Sequence, residues 1–194
     1  RCIKIKNDII DLYIHNSNMK IETLTLPGVN LIKPQRFFDQ RGFFSETFHK
    51  QRYREKGIHC EFVQDNHSFS QYRTLRGMHF QRSPGQAKLI WVIQGVIFDV
   101  VVDICSTRST FGKWIGAYLD AKKGEQLFIP TGYAHGFCVI SETAHVCYKV
   151  SSPFDPLEEK GFRYDDPDVG IKWPLSSVIL SERDRNQPFL RQII

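Results

Sequence analysis

Lys88-Leu-Ile-Trp-Val-Ile-Gln-Gly95-Val-Ile-Phe-Asp-Val-Val-Val-Asp-Ile104 decides the fold. Two apolar runs flank Gln94-Gly95, and the dipeptide reads as a tight hairpin. From Met19 onward the same grammar recurs, with short runs rich in Val, Ile, Phe and Tyr alternating with turn signals. Further strands are expected at Trp114–Leu119, Gln126–Ile129, His135–Ile140 and His145–Val150. The last two fold about Glu142-Thr143, a register that sets Cys138 roughly opposite Cys147, within reach of each other under oxidation. Helical signals are few. Phe48–Lys56 is followed by Gly57, and Ser181-Glu-Arg-Asp184 resembles a capping box. The fold class is therefore all-β, best matched by a double-sheet jelly roll with a few short helices.

Composition narrows the function classes. The chain has 194 residues, of which 41% are hydrophobic and 24% charged, a globular balance that argues against disorder. Fifteen Phe, seven Tyr and three Trp suffice to fill a core and still line a pocket. The longest apolar run, Leu89 to Val102, is interrupted by Gln94, Gly95 and Asp99 and falls short of the roughly 20 residues of a membrane span. Net charge is +5, but the basic residues are scattered, which speaks against nucleic acid and leaves a few arginines for a small anionic ligand. Five cysteines without a C-x-x-C suit a reducing, cytoplasmic setting. Residues 1–18 lack a cleavage-site pattern and read as an extension or expression remnant before a natural start at Met19, leaving 19–194 as a single domain.

Several constellations carry chemistry. Gly124 to His135 fits the second half of the cupin pattern, G-x5-P-x-G-x2-H, and directs His135 into the barrel. The first half supplies only His79 where a metal site needs an H-x-H pair, so no metal is expected. Alternation on a strand lets Gln64 and Asn66 share a face, and likewise Arg41, Phe43 and Ser45. Arg41 and Arg76, set in strands rich in aromatics and amides, point to phosphate recognition, because a guanidinium cannot deprotonate and seeks an anion.

Taken in order, Arg41-Gly-Phe-Phe-Ser-Glu46, Phe62-Val-Gln-Asp-Asn-His-Ser68, Leu75-Arg-Gly-Met-His-Phe-Gln81, Gln86-Ala-Lys88 and Ile129-Pro-Thr-Gly-Tyr-Ala-His-Gly-Phe137 resemble the dTDP-4-dehydrorhamnose 3,5-epimerase family. So do Tyr148-Lys149, Pro156-Leu-Glu-Glu-Lys-Gly161, Ile171-Lys-Trp-Pro174 and Leu180-Ser-Glu-Arg-Asp184. The resemblance covers about Met19 to Pro188. It implies a cupin-like jelly roll that inverts the two carbons flanking a C4 ketone, on dTDP-4-dehydro-6-deoxy-D-glucose, without metal or nicotinamide.

By that resemblance His79 is the base, Asp184 its partner, Tyr148 the acid, and Lys88 the cation beside the developing enolate. Substrate-holding roles fall to Arg41, Phe44, Glu46, Gln64, Asn66, Arg76, His135 and Glu159. Phe154 takes the place of an aromatic that stacks on thymine, and Arg183 that of a frequent lysine before the aspartate. Singly, Asp184 reads as the third residue of a Ser181 cap, Tyr148 as a core tyrosine and Lys88 as a rim residue; together they read as a site. The resemblance also implies a homodimer whose N-terminal strands cross to the partner sheet and bring the Arg41 region to a shared site. Alternatives at this stage are a mono-epimerase acting at C3 or C5 only, a metal-dependent cupin isomerase or oxygenase, and a catalytically silent nucleotide-sugar binder.

Overall fold

A computed structural model describes residues 18–194. The expectation about residues 1–18, except for Asn18, lies outside the described residues, as does Cys2.

The strands are β1 (Lys20–Thr23), β2 (Asn30–Lys33), β3 (Arg36–Asp39), β4 (Gly42–Ser45), β5 (Gln64–Gln71), β6 (Leu75–Gln81) and β7 (Lys88–Gln94). They continue as β8 (Val96–Asp103), β9 (Trp114–Asp120), β10 (Gln126–Ile129), β11 (Tyr133–Val139), β12 (Thr143–Val150) and β13 (Glu159–Gly161). Two short helices, α1 (Lys50–Glu55) and α2 (Glu182–Arg185), sit where the cap signals place them. The side chain of His49 caps α1, and Gly57 at φ 90° follows its end.

The large sheet runs β1-β2-β10-β7-β12-β5 and the small one β13-β6-β11-β8-β9. From β5 to β13 the chain changes sheet at every step except β8 to β9, the double-sheet jelly roll that the strand pattern predicts. Ile90 and Val92 of the large sheet meet Ile97, Val101 and Phe137 of the small one in the core between them. Phe98, Val100 and Val102 point the other way and are covered by Phe162, Val169 and Leu190 from the C-terminal segment. Burial on both faces explains why β8 is apolar almost without alternation. At roughly 1.5–3 kcal/mol for each fully buried aliphatic or aromatic side chain, this strand anchors the barrel. α1 sets Tyr53 against Leu89 and Phe128 on the outer face of the large sheet.

Two expectations need correction. Gln94-Gly95 is a turn, but β7 pairs with β10 and β12 whereas β8 pairs with β11 and β9, so it is a corner between sheets and not a hairpin. Gly95 is required there: φ is 88°, and a Cβ would lie 2.1 Å from the Thr143 carbonyl oxygen. β11 and β12 likewise belong to different sheets. Ser141 stitches the two corners together, its Oγ accepting from Val96 N–H at 2.8 Å and donating to Thr143 O at 2.6 Å. Cys138 therefore faces Leu75 and Phe98 in register, and Cys147 faces His67 and Trp91; both are free thiols.

Candidate active site

A cavity of about 490 Å³ opens between the sheets. Its lining includes Arg76, His79, Lys88, His135, Tyr148, Glu159, Arg183 and Asp184, eight of the fourteen site residues that the sequence singles out.

β6 and β11 carry the two histidines. His79 and His135 are direct cross-strand partners, so their side chains stand side by side. Gly77 makes this approach possible. With φ at 121°, a Cβ there would lie 2.5 Å from Gly136 Cα and 2.8 Å from His135 O.

Each histidine is tied to a buried carboxylate. His79 Nε2 lies 2.6 Å from Asp184 Oδ1, and His135 Nε2 lies 2.8 Å from Asp99 Oδ2. Burial pushes the Asp184 carboxyl up, but the bond and charge of His79, the Gly77 N–H and the Ser181 side chain outweigh it and hold the group below its ordinary value. Asp184 is thus a carboxylate, Nε2 carries the proton it accepts, and Nδ1 is the nitrogen left to receive another. Asp99 behaves in reverse: burial drives its carboxyl up, against the pull of His135 and Lys88. Its Oδ1 is buried without a hydrogen-bond partner among the described residues.

Across the barrel the large sheet supplies Tyr148 from β12 and Lys88 from β7, with the ammonium 5.8 Å from the Tyr148 ring centre. Burial first, and the charge of Glu159 second, raise the phenol above its usual value, so Tyr148 holds its proton. Burial pushes the Lys88 ammonium down, opposed by Glu159 and Asp99. At the rim, Arg76 donates to Ser70 Oγ at 3.0 Å and to Phe69 O at 3.2 Å, and Arg183 pairs with Glu159 at 2.5 Å.

The remaining singled-out residues lie elsewhere. Gln64 donates to Asn66 Oδ1 at 2.8 Å, as a shared face predicts, and its own Oε1 accepts from Phe154 N–H at 3.2 Å. Phe154 borders a separate shallow hollow beside Gln81 and Ser152. Arg41, Phe44 and Glu46 do not reach the cavity within one chain. Arg41 sits in the β3–β4 turn and not on a strand, its side chain 85% exposed and paired with Asp39, so it does not share a strand face with Phe43 and Ser45. Phe44 is 65% exposed, and Glu46 pairs with Arg52.

Sequence reading passed over Asp99 as an interruption of an apolar run. A charged residue within a strand buried on both faces was the available signal, since such a group needs a partner. Among the described residues, no cluster of three or more His, Cys, Asp or Glu is arranged to hold a metal ion, and no helix is long and apolar enough to cross a membrane.

Strands that alternate between two sheets, with an apolar core and a polar-lined cavity between them, define the cupin-like jelly roll, and this protein has that fold. Comparison with known sequences narrows the class: residues 23–192 match the profile of dTDP-4-dehydrorhamnose 3,5-epimerase, and the chain belongs to that family of isomerases. It is 44% identical to the dTDP-4-dehydrorhamnose 3,5-epimerase of Methanothermobacter thermautotrophicus, over 87% of this chain and 92% of that protein. The dTDP-4-dehydrorhamnose 3-epimerase of Streptomyces niveus is 37% identical, over 90% of this chain and 85% of its own. A solved structure of a dTDP-6-deoxy-D-glucose-3,5-epimerase from Legionella pneumophila, in complex with dTDP-4-keto-L-rhamnose, superposes with a TM-score of 0.88 at 42% identity, covering 91% of this chain and 95% of that one.

Proposed function

We propose that this epimerase inverts C3 and C5 of dTDP-4-dehydro-6-deoxy-D-glucose to give dTDP-4-dehydro-6-deoxy-L-mannose, with His79 as base and Tyr148 as acid. The observation that carries this reading is the placement of the two groups on opposite sheets, with a cavity between them. Inversion needs a proton taken from one face of a carbon and another delivered to the opposite face. The C3 and C5 protons are acidified by the C4 ketone between them. His79 Nδ1 takes one; the C–H electron pair moves into the enolate, whose oxygen is stabilised by the Lys88 ammonium. Tyr148 then donates its phenolic proton from the other side, and exchange with water resets both groups. Repetition at the second carbon completes the isomerisation, and because the substrate's own C4 ketone already acidifies both protons, each step calls only on these side chains.

Asp184 fixes the His79 tautomer and stabilises the imidazolium, and the 2.8 Å contact with Asp99 orients the His135 ring beside it. Arg76 and Arg183 offer the cavity rim its cations for a diphosphate. Gln64, Asn66 and Phe154 form a contiguous ledge suited to the nucleotide. Arg41, Phe44 and Glu46 serve the site of a second copy in a homodimer. In support, the β3–β4 hairpin presents Phe38, Phe43 and Phe44 to solvent, more apolar surface than a lone hairpin keeps uncovered. Incubation of the purified protein with dTDP-4-dehydro-6-deoxy-D-glucose, followed by NMR assignment of the product ring, tests the reaction. Inversion at both C3 and C5 is expected. Inversion at one centre alone would assign a mono-epimerase, and unchanged substrate would refute the reading.

A further inference from the structure

The turn from β5 into β6 holds Arg73 at φ 69°, the one non-glycine residue with positive φ among the described residues. A left-handed backbone is unfavourable for a bulky L-residue and persists where its surroundings hold it. Here the hold is on a distant segment. Arg73 Nε donates to Ser177 O at 2.9 Å, and a terminal guanidinium nitrogen donates to Ser177 Oγ. The backbones interlock beside this contact: Ile179 N–H donates to Arg73 O at 2.8 Å, and Leu75 N–H donates to Ile179 O at 2.9 Å. Arg73 makes the only side-chain hydrogen bonds to residues 174–180 among the described residues.

That segment matters because of where it leads. Ile179, Leu180, Ser181, Arg183 and Asp184 form one wall of the cavity. The strap ends in α2, which spans four residues and is too short to hold itself in place. It is pinned at two points equally spaced along both segments, one just before β6 and one on it. Thr74 bridges Ile179, and five residues further along each segment His79 meets Asp184.

We propose that Arg73 is a positioning residue for the reaction: its guanidinium latches the strap at Ser177 and thereby holds the Asp184 carboxylate on His79 Nε2. This rests on the reading of His79 as base, but the contact it predicts can be observed without turnover.

Arg73→Gly is the discriminating variant, because glycine adopts the left-handed turn freely while the latch is lost. The first readout is the His79 Nε2–H proton in solution NMR, assigned by its disappearance in Asp184→Asn. It should be sharp and downfield in the wild type and broadened by water exchange in Arg73→Gly. The second is kcat, expected to fall about 10-fold at an unchanged thermal transition, as for a modest misplacement of a catalytic group. Ser177→Ala should lower kcat in the wild-type background and add nothing in Arg73→Gly. Retention of the proton resonance in Arg73→Gly would overturn the latch whatever the activity. A lower thermal transition with unaltered kcat would reduce Arg73 to a structural role. If the wild type fails to epimerise, the resonance still decides the latch, so the two claims fail separately.

Discussion

Replacing Asp184 with Asn exchanges one oxygen for a nitrogen and is expected to cost far more activity than stability. The wild-type carboxylate receives His79 Nε2–H at 2.6 Å and the Gly77 N–H. The helix cap survives the exchange, because there Ser181 Oγ accepts from the backbone N–H of residue 184 at 3.0 Å. An amide offers its oxygen to one of the two donors and turns its NH2 toward the other. His79 then accepts at Nε2 and carries its proton on Nδ1, the nitrogen that must take a proton from the sugar. A wrong tautomer of this kind costs about 10²- to 10⁴-fold in rate, or about 3–5 kcal/mol of barrier.

Stability should move much less. Lost charge-assisted bonds, about 1.5–3 kcal/mol, are partly offset by no longer burying a charge. The sign of the pH dependence follows from the lowered carboxyl. Its stabilisation is fully present above the ordinary carboxylate value of 3.8 and is lost as pH falls through the native value below it. The stability gap between wild type and variant should therefore close on acidification below about pH 4. Turnover at pH 7 together with denaturant melts at several pH values reads both quantities. A variant within threefold of wild-type kcat would refute the need for an anionic partner on His79.

Three further outcomes are expected. Tyr148→Phe keeps the ring and removes the phenolic proton, so epimerisation should fall about 10²- to 10⁴-fold while some solvent exchange through His79 persists; a wild-type rate would make Tyr148 a packing residue. Gly77→Ala drives a Cβ to 2.5 Å from Gly136 Cα. It should cost about 2–4 kcal/mol of stability, measured by denaturant titration, and an unchanged midpoint would mean that β6 and β11 separate freely. Exhaustive chelation should leave turnover intact, since among the described residues no cluster of three or more His, Cys, Asp or Glu is arranged to hold a metal ion; loss restored by a divalent ion would contradict this.

Local chemistry was readable along the chain wherever a residue's role depends on its neighbours in sequence. Ser181 caps α2, Gly57 follows the end of α1, and Gln126–Ile129 is a strand with the boundaries expected. Partner choice was not readable. Gly95 at φ 88° has the same local requirement in a hairpin as in a corner between sheets, and the difference lies in Ser141 and Thr143, nearly fifty residues away. The opposition of Cys138 and Cys147 expected from the second corner failed for the same reason. The site divided similarly. His79, Lys88, Tyr148 and Asp184 come together from four separate elements, a convergence no local pattern encodes and the ordered motifs supplied. Arg41 departs from its expected strand position because the motif extends through a turn, where side chains no longer alternate.

The central claim is that His79 forms the enolate at both carbons, and solvent exchange tests it most directly. Wild-type protein and His79→Ala are incubated with dTDP-4-dehydro-6-deoxy-D-glucose in D2O, and deuterium at C3 and C5 is followed by NMR. The wild type is predicted to label both positions, and His79→Ala neither. Undiminished labelling in His79→Ala would contradict the account, since the enolate would then form without the base on which it rests.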